Sequence, residues 1–252
     1  MRKLFAEWAS HFDANDWTSS PDLPWKTAPV LPPEELRLIA PPLRQFQLGE
    51  YARGRTLYHE ASAFADSNEI ANLPESTRAF IQEEQRHSAV LGRFLGREGV
   101  TLLERDPVNW LFRRLRKLAG FELIVTVLCS AECVSVPYYS ALRDLTSSEL
   151  LRKICQNILR DEALHLCYQG YVLSFASRGR GFWSESLVRT AHRLFVLGTG
   201  LVVYFEHRKF FRAAKMPLEK FLGSAFQSLA QIENRTGAGA LVGLGWLAQG
   251  RP

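Results

Sequence analysis

Strand signals are nearly absent from this 252-residue chain. No six-residue stretch alternates cleanly between apolar and polar, and no Asn-Gly or Asp-Gly joins two such stretches, so an all-α protein is expected. Cysteine is scarce too. Cys129, Cys133, Cys155 and Cys167 form no Cys-x-x-Cys, which argues against a zinc knuckle or a disulfide framework and reads as core thiols of a cytoplasmic protein. The N-terminus meets Glu7, His11 and Asp13 before any apolar stretch, so no signal peptide is expected. Two apolar runs, Leu194 to Phe205 and Ala238 to Ala248, fall short of the roughly 18 to 20 residues of a spanning helix, so no membrane span is expected. No flavin or ferredoxin motif is visible, and no basic motif is interleaved with aromatics as nucleic-acid binding would need.

What is present suits a helical protein with a large core. The hydrophobic content of 46% and the chain length point to one large domain. The segment 1–42 holds Pro21, Pro24, Pro29, Pro32, Pro33, Pro41 and Pro42 among Trp8, Trp17 and Trp25. Proline at that density predicts an arm without long helix (1–42), which the tryptophans pack onto the body. Helices are expected at about 43–66, 75–97, 120–143, 147–177, 183–213 and 217–235, with a shorter one near 107–117. The single domain, 43–252, would then comprise a core (43–178), extra helices (183–235) and a Gly-rich tail (236–252). The net charge of +5 would suit an anionic partner, yet its densest cluster, Arg113-Arg114-Leu115-Arg116-Lys117, reads first as a solvated helix face.

Chemistry concentrates in a repeated pattern. Glu84-Gln-Arg-His87 and Glu162-Ala-Leu-His165 each place a carboxylate and an imidazole on one helical face, since positions i and i+3 are neighbours there. Glu50 precedes Glu84, and Glu132 precedes Glu162, by similar intervals, so two helical hairpins would carry the same half-site twice. Glu132 is the single acid in the run from Leu123 to Tyr139, and a carboxylate buried there needs a cation, a metal or a proton. His59 and Glu60 compete with Glu50; on one continuous helix His59 would lie about 180° away and Glu60 roughly 15 Å along the axis. Four carboxylates and two imidazoles suit two iron or manganese ions better than one zinc. Glu83 and Asp161, each preceding a candidate ligand, could accept the outer N–H of the opposite half's imidazole, Asp161 from His87 and Glu83 from His165. His11, His192 and His207 read as surface or core histidines.

At these residues the chain resembles the ferritin-like di-iron carboxylate superfamily over about residues 43–178. The resemblance implies a ferritin-like four-helix bundle carrying two iron ions (Mn/Fe also fits) on Glu50, Glu84, His87, Glu132, Glu162 and His165, with Glu84 and Glu132 or Glu162 bridging; the helices expected after residue 178 would be additional C-terminal helices outside the resemblance. Leu91 stands where ribonucleotide reductase small subunits carry a radical Tyr, and Ile158 and Leu159 stand where arylamine N-oxygenases add a His. Rubrerythrins add a Cys-x-x-Cys iron site, which is absent here. Glu132-Cys-Val-Ser-Val-Pro-Tyr138 and Asp161-Glu-Ala-Leu-His-Leu-Cys-Tyr168 are most similar to aldehyde-deformylating oxygenases.

The expected function is therefore an O2-dependent oxidase or oxygenase acting on a small apolar substrate, with Phe46, Cys129 and Val136 lining the substrate pocket. Electrons would come from an external reductase or ferredoxin, for which the basic cluster is a docking candidate. The alternatives are a ferroxidase that handles iron alone and a metal-free scaffold. An oxygenase would be a monomer or homodimer, whereas iron storage needs a large hollow assembly.

Overall fold

A computed structural model describes residues 2–51, 54–107, 114 and 120–237. Every regular element among them is a helix. In chain order these are α1 (Arg2–Ala14), α2 (Pro33–Glu50), α3 (Arg55–Asn68), α4 (Leu73–Arg97), α5 (Phe121–Leu145), α6 (Glu149–Ala176), α7 (Phe182–Glu206), α8 (Arg208–Ala213) and α9 (Leu218–Gly237).

Local chemistry explains several boundaries. Ser148 caps α6 by accepting from Leu151 N at 3.3 Å, and α4 begins with Pro74 in its first turn, where a missing N–H costs nothing. Gly54 separates α2 from α3 in a left-handed conformation (φ 63°). A Cβ there would lie 2.5 Å from the Ile81 side chain, so both the backbone and the packing call for glycine. α5 is apolar on nearly every side and, by length and composition alone, could cross a membrane. With 67% of its apolar window buried, it serves as the central core helix.

The strongest packing joins α5 to α6, a hairpin closed by residues 146–148. α2 packs on α4, α4 on α6, and α7 and α9 cover α5. A large core holds Leu43, Leu91, Phe94, Tyr138, Leu151 and Ile158, all fully buried, and a second gathers Phe5, Trp8, Phe12, Phe80 and Tyr168.

The N-terminal residues follow α4 along much of its length. Phe12 packs on Phe80, Trp17 on His87, the Arg93 guanidinium lies 3.9 Å over the Trp25 ring, and Leu31 N donates to Glu98 at 2.7 Å. These residues lie against α4, but they are not without long helix. Proline content averaged over 1–42 conceals a proline-free start, which folds as α1. α2 opens on Pro33, not near residue 43, and runs through Pro41 and Pro42 despite the two backbone hydrogen bonds they cannot make. The single helix expected over 43–66 is thus two, broken around Gly54, and the one expected over 183–213 is interrupted at His207. Most of the 107–117 segment with its basic cluster, and nearly all of the Gly-rich tail, lie outside the described residues.

Candidate metal centre

α4 and α6 meet with both Glu-x-x-His pairs facing each other. One ligand atom from each of Glu84, His87, Glu162 and His165 lies within 4.8 Å of all the others, and this buried cluster can hold a metal ion. Glu50 at the end of α2 and Glu132 in mid-α5 border it: His165 Nδ1 is 3.9 Å from Glu132 Oε1, and Glu50 adjoins Glu84. The two expected hairpins differ in build, because α3 intervenes between Glu50 and Glu84 but nothing helical intervenes between Glu132 and Glu162. His59 is exposed and lies 3.5 Å from Glu60, away from the cluster. Its exclusion rests on the break after α2, not on the rotation of one continuous helix.

The imidazoles are oriented from behind. His87 Nε2 lies 2.9 Å from Asp161 Oδ2 and His165 Nε2 lies 2.7 Å from Glu83 Oε2, the cross-pairing expected from sequence. With the proton on Nε2 donated to a carboxylate, each Nδ1 turns a lone pair inward. His165 Nδ1 then faces Glu84 Oε1 at 2.8 Å, two electron-rich atoms in contact. Glu84 Oε1, His87 Nδ1, both Glu162 oxygens and His165 Nδ1 are buried without a hydrogen-bond partner. Such a convergence of acceptors demands a cation or protons.

The electrostatics agree. Burial, and then neighbouring carboxylates, raise Glu50 and Glu132 well above the usual carboxylate range; Glu84 is raised for the same reasons, and burial pushes Glu162 up to about 7. Burial alone would lower His165, but Glu84, Glu162 and Glu83 more than offset it and raise the imidazole well above its ordinary value. Burial would raise Asp161, yet hydrogen bonds from His87, Trp17 and Asn15 hold it below the usual aspartate value.

Compared with known proteins, the chain matches no family, no curated protein and no solved structure. The geometry therefore carries the functional reading.

Several contributors are not marked in the sequence. Asn15 donates its amide to Glu83 Oε1 at 2.6 Å and to Asp161 Oδ1 at 2.8 Å, bridging the outer carboxylates of the two half-sites. Trp17 Nε1 donates to Asp161 Oδ2 at 2.6 Å. Arg86 donates to the carbonyls of Phe12 and Asn15, at 2.6 and 3.2 Å, and so pins this segment. Tyr139 donates to Glu50 Oε1 at 2.8 Å, and Gln169 Nε2 lies 3.3 Å from Glu132 Oε1. Trp17 stands out in the sequence only as a packing residue, and nothing around Asn15 marks it.

A cavity of about 120 Å³ reaches Glu50, Glu84 and Glu132 from the opposite side. Its walls include Phe46, Val127, Leu128, Val134 and Val203, and the exposed Gly49 and Ala131 also line it. Of the three residues expected at a substrate pocket, Phe46 lies in this wall, whereas Cys129 and Val136 do not: they pack with Leu229 and Ile232 of α9. At 100° per residue both fall about 40° to 60° to one side of Glu132, whereas Leu128, Ala131 and Ser135 fall on the other. Being one turn from a ligand does not say on which side the space lies.

Proposed function

We propose that this chain is a non-haem di-metal oxidase or oxygenase with a ferritin-like arrangement, using O2 on a small apolar substrate. The inward-facing Nδ1 atoms of His87 and His165, set among buried carboxylates beside an apolar cavity, carry this reading. Glu50, Glu84, His87, Glu132, Glu162 and His165 would hold two iron ions, or manganese with iron. When bound and reduced, the ions would supply the electrons and the binding surface that O2 requires.

The protein's own groups prepare that chemistry. Asp161 and Glu83 fix the imidazole orientation and hold the outer protons on Nε2. Tyr139 orients Glu50 by donating to it at the edge of the cavity. Val127, Leu128, Val134 and Val203 keep water from the carboxylates and favour an apolar substrate. An external reductase or ferredoxin would deliver electrons. The four free, buried thiols support a reducing cytoplasmic setting.

Metal analysis after growth with iron and manganese should give two ions per chain, with losses in Glu132→Ala and His165→Ala. The reduced protein should then consume O2 faster when small apolar compounds are present. Protein free of metal under these conditions would sink the proposal. Fe(II) oxidation alone, in a particle that elutes as a large shell, would assign the site to iron handling instead.

A further inference from the structure

The outer face of α7 presents a continuous apolar stripe to solvent. Its exposed side chains are Trp183 (84% exposed), Leu187 (71%), Leu194 (63%), Val202 (50%) and Phe205 (57%), preceded by Phe182 (78%). Residues 183 to 205 span roughly 33 Å of helix. The inner face of the same helix buries His192, Val196, Thr199, Gly200 and Val203, so the stripe is not a misassigned core face. Scattered single hydrophobics need no explanation, but a row of this length marks an interaction surface.

The order of side chains along the stripe identifies the occupant. Trp183 and Phe205 stand equally far from Leu194 on its two sides, and Leu187 and Val202 stand almost equally far, as do Ala191 and Gly198 closer in. The row is near-palindromic about Leu194, with aromatics at both ends and small residues beside the centre. An antiparallel copy related by a twofold axis at Leu194 would set Trp183 against Phe205 and Leu187 against Val202, while Ala191 and Gly198 let the backbones approach. Such self-complementarity is what an isologous interface requires.

Charge and area point the same way. Both arginines within α7 are already partnered: Arg189 lies 3.0 Å from Glu185, and Arg193 donates to both Glu233 oxygens at 3.1 and 2.6 Å. The face therefore offers little to anionic lipid headgroups, and few charges need desolvating on self-pairing. The exposed fractions amount to on the order of 800 Å², comparable with the area each partner contributes to a standard stable interface.

We propose that two copies of this chain associate through α7, packed antiparallel across a twofold axis at Leu194. Thr199 and Val203 project from the opposite side of α7 into the cavity wall, so the partner helix would brace the wall that faces the carboxylates. The inference is independent of what the site oxidises.

Analytical ultracentrifugation and cross-linking of the full chain test it. The wild type should sediment as a dimer at micromolar concentration. Leu194→Asp and Leu187→Asp should each weaken association at least roughly 100-fold while leaving far-UV circular dichroism unchanged. Leu194→Cys should oxidise to a covalent dimer, since the native cysteines are all buried. A monomeric wild type overturns the proposal, whether the stripe is covered from within the chain or by phosphatidylcholine–phosphatidylglycerol vesicles that sediment with it. A dimer that persists in both Asp variants and fails to cross-link at position 194 overturns it equally.

Discussion

Trp17 Nε1 donates to Asp161 Oδ2 at 2.6 Å, joining residues 144 apart in sequence. Asp161 also pairs with His87 Nε2 at 2.9 Å, so the N-terminal arm reaches an imidazole of the proposed metal site through a single carboxylate. Trp17→Phe should keep a ring near His87 while removing the N–H together with part of the buried indole, so far-UV circular dichroism and the melting temperature are read beside metal affinity. Metal affinity, read by chelator competition, is expected to fall about tenfold, the lower end for losing an outer partner. Asn15→Ala removes one donor from each of the two outer carboxylates and should cost more. Unchanged affinity in both variants would reduce the arm to a packing element.

Removing metal should reverse the pH dependence of stability. Glu50, Glu84, Glu132, Glu162 and His165 all have raised values in the fold, with Glu162 at about 7. A group raised in the folded state contributes stability below its unfolded value and loses it as pH rises through the folded one. The metal-free protein should therefore be most stable at mildly acidic pH and lose several degrees of melting temperature on going from about pH 5.5 to 8. Metal displaces those protons, so the loaded protein should gain stability over the same interval. Parallel melting curves for the two forms would contradict the assignment of these groups to one cation site.

The helices and both Glu-x-x-His pairs were legible in sequence because each depends on a local rule, the helical period. α4, α5, α6 and α9 lie within about two residues of their expected bounds. What escaped was non-local or stereochemical. Asn15 acquires its role only when the arm folds along α4, and no local pattern marks it. The side of Glu132 that faces space depends on where α9 packs, so Cys129 and Val136 lie on the wrong face to line the cavity. Proline content averaged over the arm hid α1 and the early start of α2.

A second titration has the opposite sign. His207 Nε2 donates to Gln45 Oε1 at 2.5 Å, and Gln45 Nε2 donates to Asp106 at 2.9 Å and Glu206 at 3.0 Å. Burial holds His207 below the ordinary imidazole value although Glu206 and Asp106 pull it up. A lowered histidine contributes stability above its unfolded value near 6.5 and loses it as pH falls and the unfolded chain takes up the proton. His207→Gln should cost about 1 kcal/mol at pH 8, and the gap from wild type should narrow by pH 5.5. Denaturant midpoints at the two pH values measure this; a gap that widens on acidification would refute it.

Ala131 tests whether the cavity gives access to the carboxylates. It is exposed, lines the cavity and immediately precedes Glu132, so a larger side chain would reach into the space without replacing a carboxylate or imidazole. A cavity of about 120 Å³ has room for a single xenon atom or a benzene-sized ring. Crystals of the wild type under xenon pressure should show a peak beside Glu50 and Glu132, and crystals of Ala131→Phe should not. Ala131→Phe should retain its metal, because the Glu83 and Asp161 partners of the imidazoles lie on the opposite side of the cluster. O2 uptake stimulated by apolar compounds should drop at least roughly tenfold, with the loss growing as the compound lengthens. Equal losses for small and large compounds, or loss of metal, would place the substrate route elsewhere.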